Sequence, residues 1–212
     1  MTPTEPADAH SILPLAVLEA MRSLDSPSDE EVAEYVDELL KKRLGLSDTV
    51  AAQIGRYETT VRQGGQVRAF ELEQIFRLAG RRTDAALVFA DGGRRAARRS
   101  LSGLSAFTRW GARYLPRPVR RAIGFRGARG AARDVFGATL ARDGRDAVAS
   151  LAEQIAMRAT PDGAACTFYA AALAELLRQL LDFEGVMMHS HCRSRGDERC
   201  EWRTNPSLER RS

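Results

Sequence analysis

The sequence predicts a protein that combines α-helices with β-strands, and three features of the chain indicate this. Apolar residues recur at three- and four-residue spacing in several stretches, which is typical of helices with one buried face. A nearly all-apolar helix is predicted from Ala165 to Leu181. The segment after it reverses direction at Gly196 and Asp197, which predicts a β-hairpin over residues 186–203.

The first 50 residues predict a loose tail over residues 1–11 and then two helices. The first helix runs from Ile12 to Met21. The second is capped by Ser28, has acidic residues in its first turn, and ends at Gly45. A short helix over 47–57, a break at Gln63 to Gln66, and a helix over Phe70–Leu78 follow.

The middle of the chain is rich in arginine, with fourteen Arg against two Asp in residues 94–145. A positive band on one predicted helix would supply a sequence-independent contact with nucleic acid. Because arginine outnumbers lysine thirty to two in the whole chain, we favour a solvated face instead. The acidic first 50 residues are a candidate partner for this band, in the same chain or in a partner subunit. The band consists of Arg94, Arg95, Arg98 and Arg99.

Length and composition exclude some classes of protein. The chain has 212 residues, of which 44% are hydrophobic, so it can bury a core. It contains no run of about 18 apolar residues, so no membrane span is expected. The N-terminus lacks the basic start of an export signal, so we expect a cytoplasmic, reducing location.

The strongest chemical signal is a cluster of soft metal ligands near the C-terminus. All three cysteines and two of the three histidines lie between Cys166 and Cys200. Cys166, Cys192, Cys200 and either His189 or His191 would form a Cys3His set that suits structural zinc. In a straight strand His189 and Cys192 would lie about 10 Å apart on opposite faces, so the strand must bend or end between them.

Two other interpretations of the cysteines stay open, namely buried free thiols and a disulfide between Cys192 and Cys200. The odd number of cysteines and the absence of an export signal argue against the disulfide. We favour the metal site.

The segment from Cys166 to Trp202 resembles the C-terminal half of the vinyl-4-reductase-like domain. That family includes the 4-vinyl reductase protein of bacteriochlorophyll synthesis and the sensor domains of phenol-responsive activators. The zinc-bearing sensors have Cys, 22 residues, an acidic ligand, two residues, Cys, seven residues, Cys. This chain has the same spacing over Cys166, His189, Cys192 and Cys200, with His in the acidic position. The resemblance therefore favours His189 over His191 as the ligand, and residues 76–86 show a further likeness to the bacteriochlorophyll members.

The resemblance implies an α/β fold, with a small antiparallel sheet flanked by helices around an apolar pocket, related to subunits of vesicle-trafficking particles. It implies a structural zinc ion, and a strand within Ala147–Ala159, where the pattern itself fits either a strand or a helix. The expected organisation is an acidic helical extension over 1–68, a ligand-binding domain over 69–204 and a polar tail over 205–212. Core packing is the more ordinary role for each of the candidate pocket residues, which are Phe107, Trp110, Phe125, Phe136, Phe168 and Tyr169.

The function that we expect is non-catalytic binding or sensing of a hydrophobic small molecule, in a homodimer that passes its signal to a protein partner. The chain lacks a dinucleotide fingerprint, a phosphate loop and a Ser-His-Asp set, so catalysis has little support. Phenol is disfavoured as the ligand because no histidine occurs between residues 11 and 188. The alternatives are a bacteriochlorophyll 4-vinyl reductase component or tetrapyrrole carrier and, more weakly, a nucleic-acid-associated regulator.

Overall fold

The computed structural model describes residues 8–25, 46–102, 116–144, 146–151 and 155–206 of the chain. Five predictions lie wholly or largely outside these ranges: the first seven residues of the loose tail, the helix that begins at Ser28, the pocket residues Phe107 and Trp110, and most of the polar tail. Every helix in the described ranges falls short of the length and apolar character needed to cross a bilayer. The helices are α1 (Ile12–Asp25), α2 (Leu46–Arg62), α3 (Ala69–Gly80), α4 (Ala85–Ser102), α5 (Arg117–Phe136), α6 (Ile155–Ala159) and α7 (Cys166–Leu181).

The strands form two antiparallel sheets. A two-stranded sheet pairs β1 with β2, and a four-stranded sheet has the order β3-β4-β6-β5. The predicted α/β class, with a small antiparallel sheet flanked by helices, is confirmed. The strands are β1 (Ala9–His10), β2 (Gln66–Val67), β3 (Thr139–Asp143), β4 (Asp146–Leu151), β5 (Gly185–His191) and β6 (Cys200–Pro206).

The predicted loose tail is wrong for its last residues. Ala9 pairs with Val67 and His10 with Gln66. The Ser11 hydroxyl then donates a hydrogen bond of 2.8 Å to the Gly65 carbonyl. The segment that enters α1 is thus tied to the turn between α2 and β2.

Helix α7 lies at the centre of the helical layer. It packs against α4, α5 and β5, and α4 packs in turn against α1. Phe168, Tyr169, Leu173 and Leu176 of α7 are at most 2% exposed, which confirms the prediction of a helix buried on most sides. Its C-terminal cap is Asp182, in the left-handed conformation, and Gly185 already belongs to β5.

The four-stranded sheet buries one face against these helices. Leu140, Leu151, Met187 and Trp202 are at most 5% exposed, whereas Met188 beside Met187 is 52% exposed. This alternation is the period of two that a half-buried sheet requires. Strand β6 continues through Asn205 and Pro206, two residues beyond the predicted end of the domain.

The expected strand within Ala147–Ala159 is correct only for its first part. Strand β4 ends at Leu151, and the separate helix α6 begins at Ile155. Ile155, Ala156 and Ala159 are buried because α6 packs against α3, where helical spacing puts these side chains on one face.

Candidate metal centre

Four side chains converge where the hairpin meets the start of α7. One donor atom each from Cys166, His189, Cys192 and Cys200 lies within 4.8 Å of the other three. The sulfurs of Cys166 and Cys200 are 3.9 Å apart. Donors on one tetrahedral zinc are about 3.3–3.8 Å apart, given bond lengths of about 2.0–2.3 Å. This Cys3His group can therefore hold a metal ion with only a small contraction.

Cys166 is placed by the tight turn that precedes α7. Gly163 has a φ of 82°, and its carbonyl accepts a hydrogen bond of 2.9 Å from the Cys166 N–H. A Cβ at position 163 would lie 2.8 Å from the Ser194 hydroxyl and 3.4 Å from the Cys192 sulfur. The turn at Pro161, Asp162 and Gly163 thus brings its glycine against the loop that carries Cys192, where a larger residue would not fit.

A β-bulge resolves the problem of two ligands on opposite faces of a strand. His189 pairs with Trp202, whereas His191 pairs with Glu201, so Ser190 is an extra residue in β5. The bulge shifts the alternation of side chains between the two faces of β5 by one residue. Cys192 therefore lies on the same side as His189. The sequence required a bend between these two ligands, and the bulge supplies it.

His189 belongs to the group of four, whereas His191 faces away from it. The His189 ring stacks on the Trp202 ring, with centroids 4.9 Å apart and planes inclined by 11°. His191 is 57% exposed and its Nδ1 lies 3.6 Å from Asp197. The two histidines therefore have different surroundings. His189, which the resemblance favours as the ligand, is the histidine that lies in the group of four.

A short reversal carries the chain from Cys192 to Cys200. The Cys192 carbonyl accepts hydrogen bonds from the N–H groups of Arg195 at 2.9 Å and Asp197 at 3.3 Å. The Cys192 N–H donates to the Asp197 carboxylate at 2.6 Å, and Gly196 has a φ of 98°. Gly196 and Asp197 therefore make the turn predicted for them.

The ligand atoms are shielded from solvent, and one of them, on His189, lacks a hydrogen-bond partner among the described residues. Each of the three cysteines is 3% exposed, and all are free thiols, so the Cys192–Cys200 disulfide is not formed. The His189 Nε2 atom is buried and has no hydrogen-bond partner among the described residues. A buried polar atom without a partner is costly, and a metal ion beside it would remove that cost.

The protonation of the ligands suits a cation. Burial, with a contribution from the charge of Arg195, lowers the pKa of His189, so its imidazole is neutral at pH 7 and can donate a lone pair. Burial raises the pKa values of the Cys166 and Cys200 thiols. A cation opposes this effect because it favours the thiolate.

Cys192 differs from the other two cysteines in the direction of its pKa shift. Burial opposes its ionisation, but the hydroxyl and the backbone N–H of Ser194 stabilise the thiolate and lower its pKa. The sulfur lies 2.8 Å from the Ser194 hydroxyl. Sequence reasoning missed Ser194, for which the only signal was its place between two predicted ligands.

The predicted pocket residues that the structure describes are mostly core residues. Phe136, Phe168 and Tyr169 are at most 3% exposed, and their rings pack against one another and against Phe76. Phe125 is buried too, beneath the guanidinium groups of Arg129 in α5 and Arg142 in β3. These side chains therefore do not gather around one cavity in this structure.

The arginine band on α4 is partly neutralised by carboxylates. Arg94 and Arg95 pair with Asp91 of the same helix, at 3.7 and 2.6 Å. Arg98 pairs with Glu175 of α7 at 2.8 Å, and Arg99 with Glu19 of α1 at 2.9 Å. The Arg99 pair agrees with the expectation that acidic residues near the N-terminus lie against this band.

Comparisons with known proteins give no further assignment. No protein-family model, curated protein or solved structure matches this chain. The site is therefore defined by its own geometry, as a buried Cys3His group that can hold a metal ion.

Proposed function

We propose that Cys166, His189, Cys192 and Cys200 bind a structural zinc ion, and that the chain is a non-catalytic domain of the vinyl-4-reductase kind that binds or senses a hydrophobic small molecule. The observation that carries the proposal is the convergence of these four donors within 4.8 Å. Their spacing along the chain is also that of the zinc-bearing sensors that the sequence resembles.

Zinc suits this set of ligands better than the other common metals. Three thiolates and one imidazole are its preferred donors in structural sites, whereas magnesium and calcium prefer oxygen. Four protein ligands leave no open position for water, so hydrolysis is not expected. The chemistry that zinc supplies here is a cross-link.

The cross-link would join segments that are distant in sequence. It would hold the first turn of α7 to the end of β5, to the following loop, and to the start of β6. Structural zinc in small metal domains contributes about 10–16 kcal/mol of apparent binding free energy. A site of this strength would decide whether the hairpin folds against α7.

The ligand-binding part of the proposal is supported by the resemblance and by the mixed fold that it implied. On the basis of the same resemblance, we expect a homodimer. We also expect a hydrophobic ligand, such as an aromatic compound, a lipid or a tetrapyrrole. Mass spectrometry of the purified protein under native conditions reports the metal, the subunit number and any retained molecule together. A monomer that carries no small molecule would count against the sensing role and leave the metal proposal standing.

The metal proposal is tested by single substitutions with a neighbouring control. We expect one zinc per chain in the wild type, and loss of most of it in C166S, C192S, C200S and H189A, measured by elemental mass spectrometry. His191→Ala is the control, because His191 is exposed and outside the group. His189→Asp should keep the metal, since a carboxylate is also a zinc donor. Equal loss in H191A, or a wild type without zinc, would refute the assignment.

Removal of the metal should act locally at first. After treatment with a chelator, we expect faster amide hydrogen exchange at residues 164–170 and 187–203. Exchange in the contact between α1 and α4 should change much less, because that contact does not include the ligands. Unchanged exchange in the hairpin would show that the site does not hold it in place.

A further inference from the structure

A groove between α5 and β3 has a different electrostatic character from the rest of the arginine-rich region. It has a volume of about 380 Å³. Small-molecule sites in proteins have volumes of about 300–1,000 Å³. Its lining contains three arginines and no carboxylate: Ala122, Phe125, Arg126, Arg129, Ala141 and Arg142.

The arginines of the groove lack acidic partners. Each arginine of the α4 band pairs with a carboxylate. No ion pair among the described residues involves Arg126, Arg129 or Arg142. The positive charge is therefore partly cancelled on α4 and retained in this groove.

Two of the three guanidinium groups are held in place by the fold. Arg142 lies 4.4 Å and Arg129 lies 5.5 Å from the centroid of the Phe125 ring. Arg129 Nε also donates a hydrogen bond of 3.1 Å to the Leu140 carbonyl. A guanidinium has five N–H donors, so this bond leaves four for a ligand. Side chains that are already ordered lose less entropy when they bind.

We propose that this groove binds a compact small molecule that carries phosphate groups. Guanidinium groups match the geometry of phosphate oxygens and can bind them through paired hydrogen bonds. The nearest acidic residues along the chain, Asp134 and Asp143, pair with Arg133 and Arg203 and so do not cancel the charge of the groove. The volume of the groove is that of a small-molecule site, which favours a compact ligand over a polynucleotide. The groove shares no residue with the metal centre, and the two proposals can fail separately.

The test is a titration of the full chain as purified with inorganic pyrophosphate at constant ionic strength, followed by backbone amide NMR. We expect saturable binding, with shifts concentrated at residues 122–129 and 140–142. Arg126→Gln should weaken binding roughly tenfold or more, since it removes charge-assisted hydrogen bonds to the phosphate. Arg126 is exposed and makes no hydrogen bond or ion pair with the described residues, so this substitution leaves the fold intact.

The control removes the same charge elsewhere. Arg94→Gln removes a charge from the partly neutralised α4 band and should change the affinity less than about twofold, because Arg94 does not line the groove and salt screens its charge. Equal weakening in R94Q and R126Q, or a titration that does not saturate, overturns the proposal. A single-stranded oligonucleotide that displaces pyrophosphate, with an affinity that rises with length and falls steeply with salt, overturns it in favour of nucleic acid.

Discussion

Glu175 is a charged residue in the middle of the most apolar helix of the chain. Its side chain is 1% exposed. Its carboxylate accepts hydrogen bonds from Arg98 of α4 at 2.8 Å, from Gln179 at 2.9 Å, and from Arg178. Burial raises the energy of the charge, but these donors outweigh it and lower the pKa of Glu175. Glu175 therefore links α7 to α4 through a buried charge with its partners in place.

Glu175→Gln should lower the free energy of unfolding at pH 7 by about 1.5–3 kcal/mol, because it leaves two arginines without a carboxylate. The pKa in the folded state lies below the ordinary value of 4.5. The stabilisation is therefore complete above that value and is lost as the pH falls through the folded-state pKa. Urea unfolding of wild type and variant should show a constant difference above about pH 5.5 that shrinks below it.

An exposed glutamate provides the comparison for this effect. Glu58 lies on the surface of α2, and E58Q should change the free energy of unfolding by less than about 0.5 kcal/mol. A difference between wild type and E175Q that is the same at pH 3 and pH 7 would contradict the role assigned to the carboxylate.

At the scale of elements, glycines decide how closely the helices approach α7. A Cβ at Gly93 of α4 would overlap the Phe168 carbonyl, and a Cβ at Gly124 of α5 would overlap the Leu180 carbonyl. Both obstacles are backbone atoms of a buried helix, which cannot rotate away as a side chain could. The glycines that make this middle region look irregular in sequence are thus what allows its helices to pack.

Gly93→Ala should destabilise the protein by about 1–3 kcal/mol, because the added methyl forces α4 away from α7. Gly130→Ala in α5 is the matched change, since a Cβ there meets no atom within 4 Å. It should stabilise the protein by about 0.4–1 kcal/mol through the entropy of the unfolded chain. The midpoints of unfolding in guanidinium chloride measure the stability changes of both variants. An unchanged midpoint for G93A would show that α4 and α7 can move apart without cost.

The elements that were predictable from sequence are those that carry their own local signal. The apolar spacing of α7 and the Gly196 turn depend on residues close in the chain. The metal ligands are further apart, but they could be predicted because they include every cysteine of the chain. Helix α6 was missed because two patterns overlap there. Leu151, Ile155 and Ala159 fit helical spacing, Ile155, Met157 and Ala159 fit alternation, and only packing against α3 decides between them. The ion pair between Glu175 and Arg98 was not predictable either, since the two residues lie 77 positions apart in the chain.

At the scale of the whole molecule, α1 belongs to the same hydrophobic core as the segment predicted to bind the ligand. Leu15, Val17 and Leu18 are at most 1% exposed and join a single cluster that also contains α4 and α7 residues. Two ion pairs lie at the edge of this contact, Glu19 with Arg99 and Asp25 with Arg82. The predicted division at residue 68 therefore runs through one continuous core.

Leu18→Ala should lower the free energy of unfolding by about 2–5 kcal/mol, as the loss of a large buried side chain does. Leu24→Ala on the same helix should cost less than about 0.5 kcal/mol, because Leu24 is 43% exposed. The difference between these two variants measures how much of the stability depends on α1.

A chain that begins at residue 69 should lose cooperative unfolding, because it exposes the apolar face of α4 that α1 covers. The expected signs are binding of a hydrophobic dye and loss of the near-ultraviolet circular dichroism signal, with much of the helical signal retained. The metal ligands are all present in this shorter chain, so loss of packing with zinc still bound would separate the role of α1 from that of the metal. Sharp thermal unfolding of the shorter chain, at the temperature of the full one, would show that residues 69–212 hold an independent core and that α1 is an addition to it.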